Sequence, residues 1–287
     1  MLSLKLRYDC WGGAQPRALN RDAIEAVAAQ ARAQLADTQR DALTLQRLAA
    51  ISELDVNDLH YQLWISLDHP VTDEDGLPVL GLCEFDPDCG EDAVSVLISP
   101  VGERLSPELA LSTLAHELGH AIFDAPAWLL AARRQRRGGA SAYLGRRPAL
   151  RTLTRHARHL GEEAESAAPD GTPAKRLAAL VARLAQAASD KQRRIAEFRA
   201  NEFMGSLLVP RQRLVALALE RAPHFDVGIE AAGERSDAGP RLVQRGALGW
   251  AGMQRLQRDL AACFGVTPAF VRVRMQRYGL LPGEGPT

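Results

Sequence analysis

Aromatic residues make up 5% of this 287-residue chain while alanine and leucine abound, which favours a mostly helical protein. Net charge is missing too. Lys+Arg and Asp+Glu both number 35, so the chain as a whole gives no polyelectrolyte argument for nucleic acid or a membrane surface, and local clusters must carry any such claim. No long uncharged apolar run occurs, and Met1 to Cys10 lacks the basic-then-apolar pattern of a signal peptide. The expectation is a cytoplasmic protein with no membrane partner. The four cysteines, Cys10, Cys83, Cys89 and Cys263, lack the dense spacing of a disulfide scaffold. Cys83 and Cys89 bracket the acidic turn Glu84-Phe85-Asp86-Pro87-Asp88 and read as reduced cysteines in and beside a hairpin, with a second metal site or a redox pair as the alternative.

What is present is the run His116-Glu117-Leu118-Gly119-His120. Residues four apart on a helix share a face, so the two imidazoles point the same way and can hold one Zn²⁺. Glu117 lies about 100° further round, where it can reach a water held between the histidines without being a ligand, the position of a general base. The flanking residues favour a helix. Ser106 is a candidate N-cap, Pro107 sits where its missing N–H costs nothing, Glu108 suits the positive end of the dipole, and Leu111, Leu114, Leu118 and Ile122 recur at helical spacing.

Upstream, apolar positions predict helices over Asn20 to Asp37 and Asp41 to Ile51, then alternation predicts strands at His60 to Leu67, Val79 to Phe85 and Ala93 to Ser99. These make a small, mainly antiparallel sheet just before the metal helix. Ala93 to Ser99 is the candidate edge strand for pairing an extended substrate, the alternative being an internal strand. Downstream, Arg133, Arg134, Arg136, Arg137, Arg146, Arg147, Arg151, Arg155 and Arg158 occur with no acid between them. They read as a solvated insertion, or alternatively as a patch for an acidic partner or nucleic acid. A helix through Leu177, Leu180, Val181 and Leu184 precedes a second one, Arg194 to Leu208, in which Glu197 and Asn201 share a face. Presented to the His-Glu helix, they would supply a third zinc ligand and a hydrogen-bond partner for a ligand histidine. Glu202 points about 180° away and reads as exposed, and Glu162, Glu163 and Glu165 lie in a polar segment with little to fix them. Tyr143, His156 and His159 are available to stabilise an oxyanion, but nothing in the sequence positions them. The last segment has the outline of a helix-turn-helix: Met253 to Phe264, a turn at Gly265, then a helix capped by Thr267-Pro268 and bearing Arg272, Arg274 and Arg277.

With Thr113-Leu114-Ala115-His116-Glu117-Leu118-Gly119-His120, then Glu197-Phe198-Arg199-Ala200-Asn201-Glu202-Phe203 and Leu207-Leu208-Val209-Pro210, the chain resembles the ImmA/IrrE family of bacterial metallopeptidases. Phe264-Gly265-Val266-Thr267 and Arg274 to Leu280 are similar to that family's C-terminal segment. The resemblance implies an α+β, mostly helical, zincin-like fold of the thermolysin type. It implies His116, His120 and Glu197 on Zn²⁺ in a Glu-liganded (gluzincin) site, Glu117 as catalytic base and Asn201 behind a ligand. The implied activity is zinc-dependent endopeptidase action on a helix-turn-helix transcriptional repressor, in stress or mobile-element regulation. The expected organisation is 1–124 (N-terminal helices, sheet and metal helix), 125–191 (arginine-rich insertion, longer than the family usually shows), 192–222 (the Glu-ligand helix) and 223–287 (the helix-turn-helix-like segment). The alternative is a regulator that binds a repressor or DNA on a peptidase-like scaffold and cuts nothing. A third reading is a protease whose insertion covers its own cleft.

Overall fold

The computed structural model describes residues 2–12, 15–35, 41–72, 76–86, 89–90, 92–102, 105–137, 151–154, 173–230, 239–244 and 249–281. The fold is mixed α+β and about 54% helical, and no helix among the described residues is long and apolar enough to cross a membrane. Its centre is a sheet whose described strands are β1 (Leu2–Leu6), β4 (Ile51–Val56), β5 (Leu59–Ser66), β9 (Ala93–Ile98), β8 (Gly81–Phe85) and β10 (Arg151–Thr154), in that spatial order. Pairs β1/β4 and β5/β9 are parallel, and β4/β5, β9/β8 and β8/β10 antiparallel. Two-residue ribbons, β2 with β3 (Cys10–Trp11, Gln15–Pro16) and β6 with β7 (Val71–Thr72, Pro78–Val79), stand beside it.

Local chemistry explains these elements. Asn57 and Asp58 both adopt positive φ (51° and 66°) between β4 and β5, and these are residue types that tolerate the left-handed region a two-residue hairpin needs. Helix α1 (Arg21–Leu35) starts where the Asn20 side chain accepts from the Ala23 amide (2.9 Å), and it buries Ile24, Val27, Ala28, Ala31 and Leu35. The helix expected over Asp41 to Ile51 is shorter, α2 (Leu45–Ala49), because Thr44 caps it and Ile51 opens β4. Strands β1 and β4 were not foreseen. The expected edge strand is also corrected: β9 is internal, held between β5 and β8, and the outer strands of the sheet are β1 and β10. Strand β10 comes from the arginine-rich segment.

Under the sheet lies α3 (Pro107–Phe123), followed at once by α4 (Ala125–Arg137), where Arg133 bonds Asp92 (2.9 Å). The two helices expected around 177–208 are one, α5 (Pro173–Leu208), which crosses the 191/192 boundary without a break. Helix α6 (Arg211–Arg221) follows Pro210, then the ribbon of β11 (Val227–Glu230) and β12 (Arg241–Gln244), α7 (Gly249–Phe264) and α8 (Pro268–Arg277).

The C-terminal helices are pinned to α5 by a buried ion cluster. Glu202, expected at the surface, is 3% exposed. Its carboxylate accepts from Arg274 Nη1 (2.9 Å) and from Arg277 Nε and Nη2 (2.9 and 2.7 Å), while Arg274 also bonds Ser206 Oγ (3.1 Å). Gly205 admits the guanidinium, since a Cβ there would collide with Arg274. At about 100° per residue Glu202 stands roughly 100° from Asn201 and 140° from Glu197, short of opposite, and that side of α5 is covered by α8. Of the three arginines on the helix-turn-helix-like segment, Arg274 is buried against α5, while Arg277 reaches Glu202 from an exposed position.

Burial opposes ionisation of Glu202, but the two guanidiniums outweigh it and hold its carboxyl below the usual range. A carboxyl lowered on folding contributes stability above the unfolded-state pKa, roughly 4.3, and that contribution is lost as pH falls through the lower folded-state value. Glu202→Gln should therefore lower the unfolding free energy by about 3 kcal/mol at pH 7 and flatten the acid limb of the thermal midpoint against pH. Asp41→Ala, which breaks the more exposed pair with Arg213 (2.8 Å), should cost under about 1 kcal/mol.

Candidate metal centre

Helix α3 begins as its sequence requires: Ser106 Oγ accepts from the Leu109 amide (3.2 Å) and Pro107 takes the first helical position. Its C-terminal carbonyls, which a helix leaves without intrahelical partners, receive tyrosine hydroxyls. Tyr8 Oη donates to Ile122 O (2.9 Å) and Tyr61 Oη to Ala121 O (2.6 Å). Burial pushes both phenols well above their ordinary pKa, so they remain donors. The end of the helix that carries His120 is thus tied down.

His116, Glu117 and His120 are buried, and α5 brings Glu197 to the two imidazoles. His116 Nε2 and His120 Nε2 are 3.1 Å apart, Glu197 Oε2 is 3.4 Å from the first and Oε1 3.5 Å from the second. These ligand atoms lie within 4.8 Å of one another, and among the described residues no other His, Cys, Asp and Glu grouping of this kind occurs. None of the four cysteines forms a disulfide; Cys83 is buried in β8 and Cys89 is exposed. Two imidazoles and one carboxylate, with a water in the fourth position, are a donor set that fits a divalent ion.

The approach of the helices depends on Gly119. A Cβ there would stand 2.8 Å from the Ala200 Cα and 3.3 Å from its carbonyl oxygen, closer than packed atoms allow. Gly119 lies between Glu117 and His120, and Ala200 between Glu197 and Asn201, so the closest crossing of α3 and α5 coincides with the ligands. On the opposite side β8 presses on Glu117: a Cβ on Gly81 would stand 3.2 Å from Glu117 Cγ and 2.7 Å from Thr113 Cγ2.

The sequence reading missed what stands behind His120. Asp124 Oδ2 is 2.7 Å from His120 Nδ1, and Arg199 Nη2 donates to Asp124 Oδ1 (2.5 Å). The signal was there, since Asp124 follows His120 by four residues. Burial opposes the charge on Asp124, yet the hydrogen bond to His120 and the Arg199 guanidinium hold its carboxyl below the ordinary range. Burial likewise opposes protonation of His120, but hydrogen bonds to Asp124 and Glu197 and the nearby Glu117 charge outweigh it, and its pKa is pushed up to about 10. His116 shifts the other way, chiefly through burial. Glu197 is held below its ordinary value, with burial opposed by both histidines. A metal at His120 thus displaces a proton, so affinity rises with pH. Asn201 is exposed on α5, and its side chain favours the charged form of His116.

Beside Glu197 opens a cavity of about 730 Å³, lined among others by Arg17, Leu19, Asp124, Trp128, Ile195 and Phe198. Tyr143, His156, His159, Glu162, Glu163 and Glu165 lie outside the described residues. Comparison with protein-family models, with curated proteins and with solved structures finds no match to this chain.

Asp124→Asn should weaken metal affinity about 10- to 100-fold, read by competition with a chelating dye, because the amide cannot hold the His120 N–H as a carboxylate does. Gly119→Ala should cost about 1–3 kcal/mol in stability and lower metal affinity. Ala200→Gly in the same chain should fail to restore it, because the nearest clashing atom is a backbone Cα.

Proposed function

We propose that this chain is a zinc-dependent endopeptidase of the Glu-liganded, zincin-like type, with His116, His120 and Glu197 holding the ion and Glu117 as the base. The observation that carries this reading is the convergence of the three ligand atoms next to a wholly buried glutamate that is not one of them. A structural site closes its coordination with four protein ligands, whereas three ligands and an adjacent carboxylate suit hydrolysis.

An ion held by His116, His120 and Glu197 would supply Lewis-acid chemistry, lowering the pKa of a bound water to about 7 and polarising the scissile carbonyl. Glu117 would be the base, its carboxylate taking a proton from the attacking water and giving it to the leaving amide nitrogen. Asp124 holds the His120 imidazole by Nδ1, with Arg199 fixing Asp124, so the ring keeps Nε2 towards the centre. Glu117 is buried, with Gly81 of β8 against its Cγ, so a charge developing beside it would interact more strongly than in open water. The cavity beside Glu197, with Trp128, Ile195 and Phe198 and the guanidinium of Arg17, suits a large apolar side chain flanked by an acidic group.

The resemblance to the ImmA/IrrE family supports a helix-turn-helix repressor as substrate. The test is incubation of candidate repressors with wild type and with Glu117→Gln loaded to the same zinc content. Wild type should cut and the variant should lose at least about 10³-fold in rate while keeping its zinc. Equal cleavage by both would remove Glu117 from the mechanism.

A further inference from the structure

The C-terminal unit differs in charge from the chain around it. Residues 239–281 contain arginines at 241, 245, 255, 258, 272, 274 and 277, no lysine, and one acid, Asp259. Arg221 of α6 bonds that acid at 2.5 Å. Arg274, buried, and Arg277, exposed, both bond Glu202, and Arg241, Arg255, Arg258 and Arg272 are exposed as well. In a chain of zero net charge, the exposed charges of this unit are thus mainly basic.

Its geometry is as specific as its charge. Helix α7 ends at Phe264, Gly265 turns the chain with φ of 68°, and Thr267 caps α8 by accepting from the Phe270 amide (3.2 Å). Val271, Arg274 and Met275 of α8 are buried. The stripe Ala269, Arg272, Val273 and Gln276, at helical spacing on the other side, reaches solvent, with Val273 59% exposed. Arg272 and Gln276 also line a groove of about 560 Å³ with Trp250, Gln254 and Gln257 of α7, closed on one side by β12. Arg258 follows Gln254 by four residues and so continues the same strip of α7.

We propose that this face binds double-stranded DNA, with α8 entering the major groove. The chemistry matches what that groove presents: arginine pairs with guanine O6 and N7, glutamine with adenine N6 and N7, and small apolar side chains meet the thymine methyl. Arg241, Arg255 and Arg258 flank the helix at positions that reach phosphates, and the capped N-terminus of α8 adds amides of the right polarity. A short Gly-containing turn between two helices, beside a two-stranded ribbon, is the arrangement that lets one helix enter a groove. Single-stranded nucleic acid fits less well, since it asks for a row of stacking aromatics and Trp250 is the one exposed aromatic here.

The experiment is fluorescence anisotropy of the full-length chain with a mixed-sequence duplex of about 30 bp, titrated between about 50 and 200 mM salt. Wild type should bind, with log K falling linearly against log salt. Arg255→Ala with Arg258→Ala should make that slope shallower by about 2, and Arg272→Ala with Gln276→Ala should weaken binding at least about tenfold. Thermal midpoint and zinc content, unchanged in both variants, establish that the fold is intact. No binding by wild type at the lowest salt overturns the proposal, as does equal binding by the Arg272/Gln276 variant. Tighter binding of the same sequence as a single strand, or capture of a repressor by this face without duplex binding, does so too. None of these outcomes bears on peptide cleavage.

Discussion

The structure depends on how closely two helices can approach. Where α3 crosses α5, Gly119 faces Ala200 with no room for a Cβ, and the residues on either side of that contact are the ones with metal chemistry. Helices packed through larger side chains sit 8–10 Å apart, which would leave Glu197 further from the imidazoles. A glycine in mid-helix costs about 1 kcal/mol in propensity, and here the loss is offset by the packing it permits. The remaining features protect this crossing: Tyr8 and Tyr61 hold the end of α3, Asp124 and Arg199 fix His120, and β8 closes over Glu117.

Helix α5 serves two faces at once. Glu197 and Asn201 look towards α3, Phe203 and Leu207 enter the core, and Glu202 with Ser206 receives the guanidiniums of α8. Packing, metal and C-terminal unit are therefore read off a single helix at successive angles. The same division explains the arginines of α8. Arg274 is a buried counter-charge and Arg277 reaches the same carboxylate from the surface, so both hold the unit in place, while Arg272 and Gln276 lie on its outer surface.

Much of the centre was legible in the sequence because it is local. The cap at Ser106, the proline after it and two histidines four apart define one helix without help from elsewhere, and Glu197 with Asn201 repeats that spacing on a second. What escaped was decided by tertiary contacts. Strand β1 is five residues long and pairs in parallel with a strand some fifty residues away, so no hairpin signal announces it. Ile51 looked like the last apolar turn of a helix, but it begins β4. Ala93 to Ser99 could not be known as internal until β8 lay along its other side and β10, from an arginine-rich stretch with no strand signal, extended the sheet. Glu202 reads as exposed from its own helix alone, because the arginines that cover it come from some seventy residues further along the chain. Asp124 was readable by spacing and was passed over.

The claim at the centre is that one divalent ion is held by two imidazoles and a carboxylate drawn from α3 and α5. X-ray absorption spectroscopy at the zinc edge of the zinc-loaded protein tests it most directly. The account predicts one ion per chain in a shell of nitrogen and oxygen alone at about 2.0–2.1 Å, with the multiple scattering of two imidazoles and a shell altered by Glu197→Ala. A sulfur scatterer at about 2.3 Å, the absence of imidazole scattering, or a shell unchanged when Glu197 is removed would contradict it.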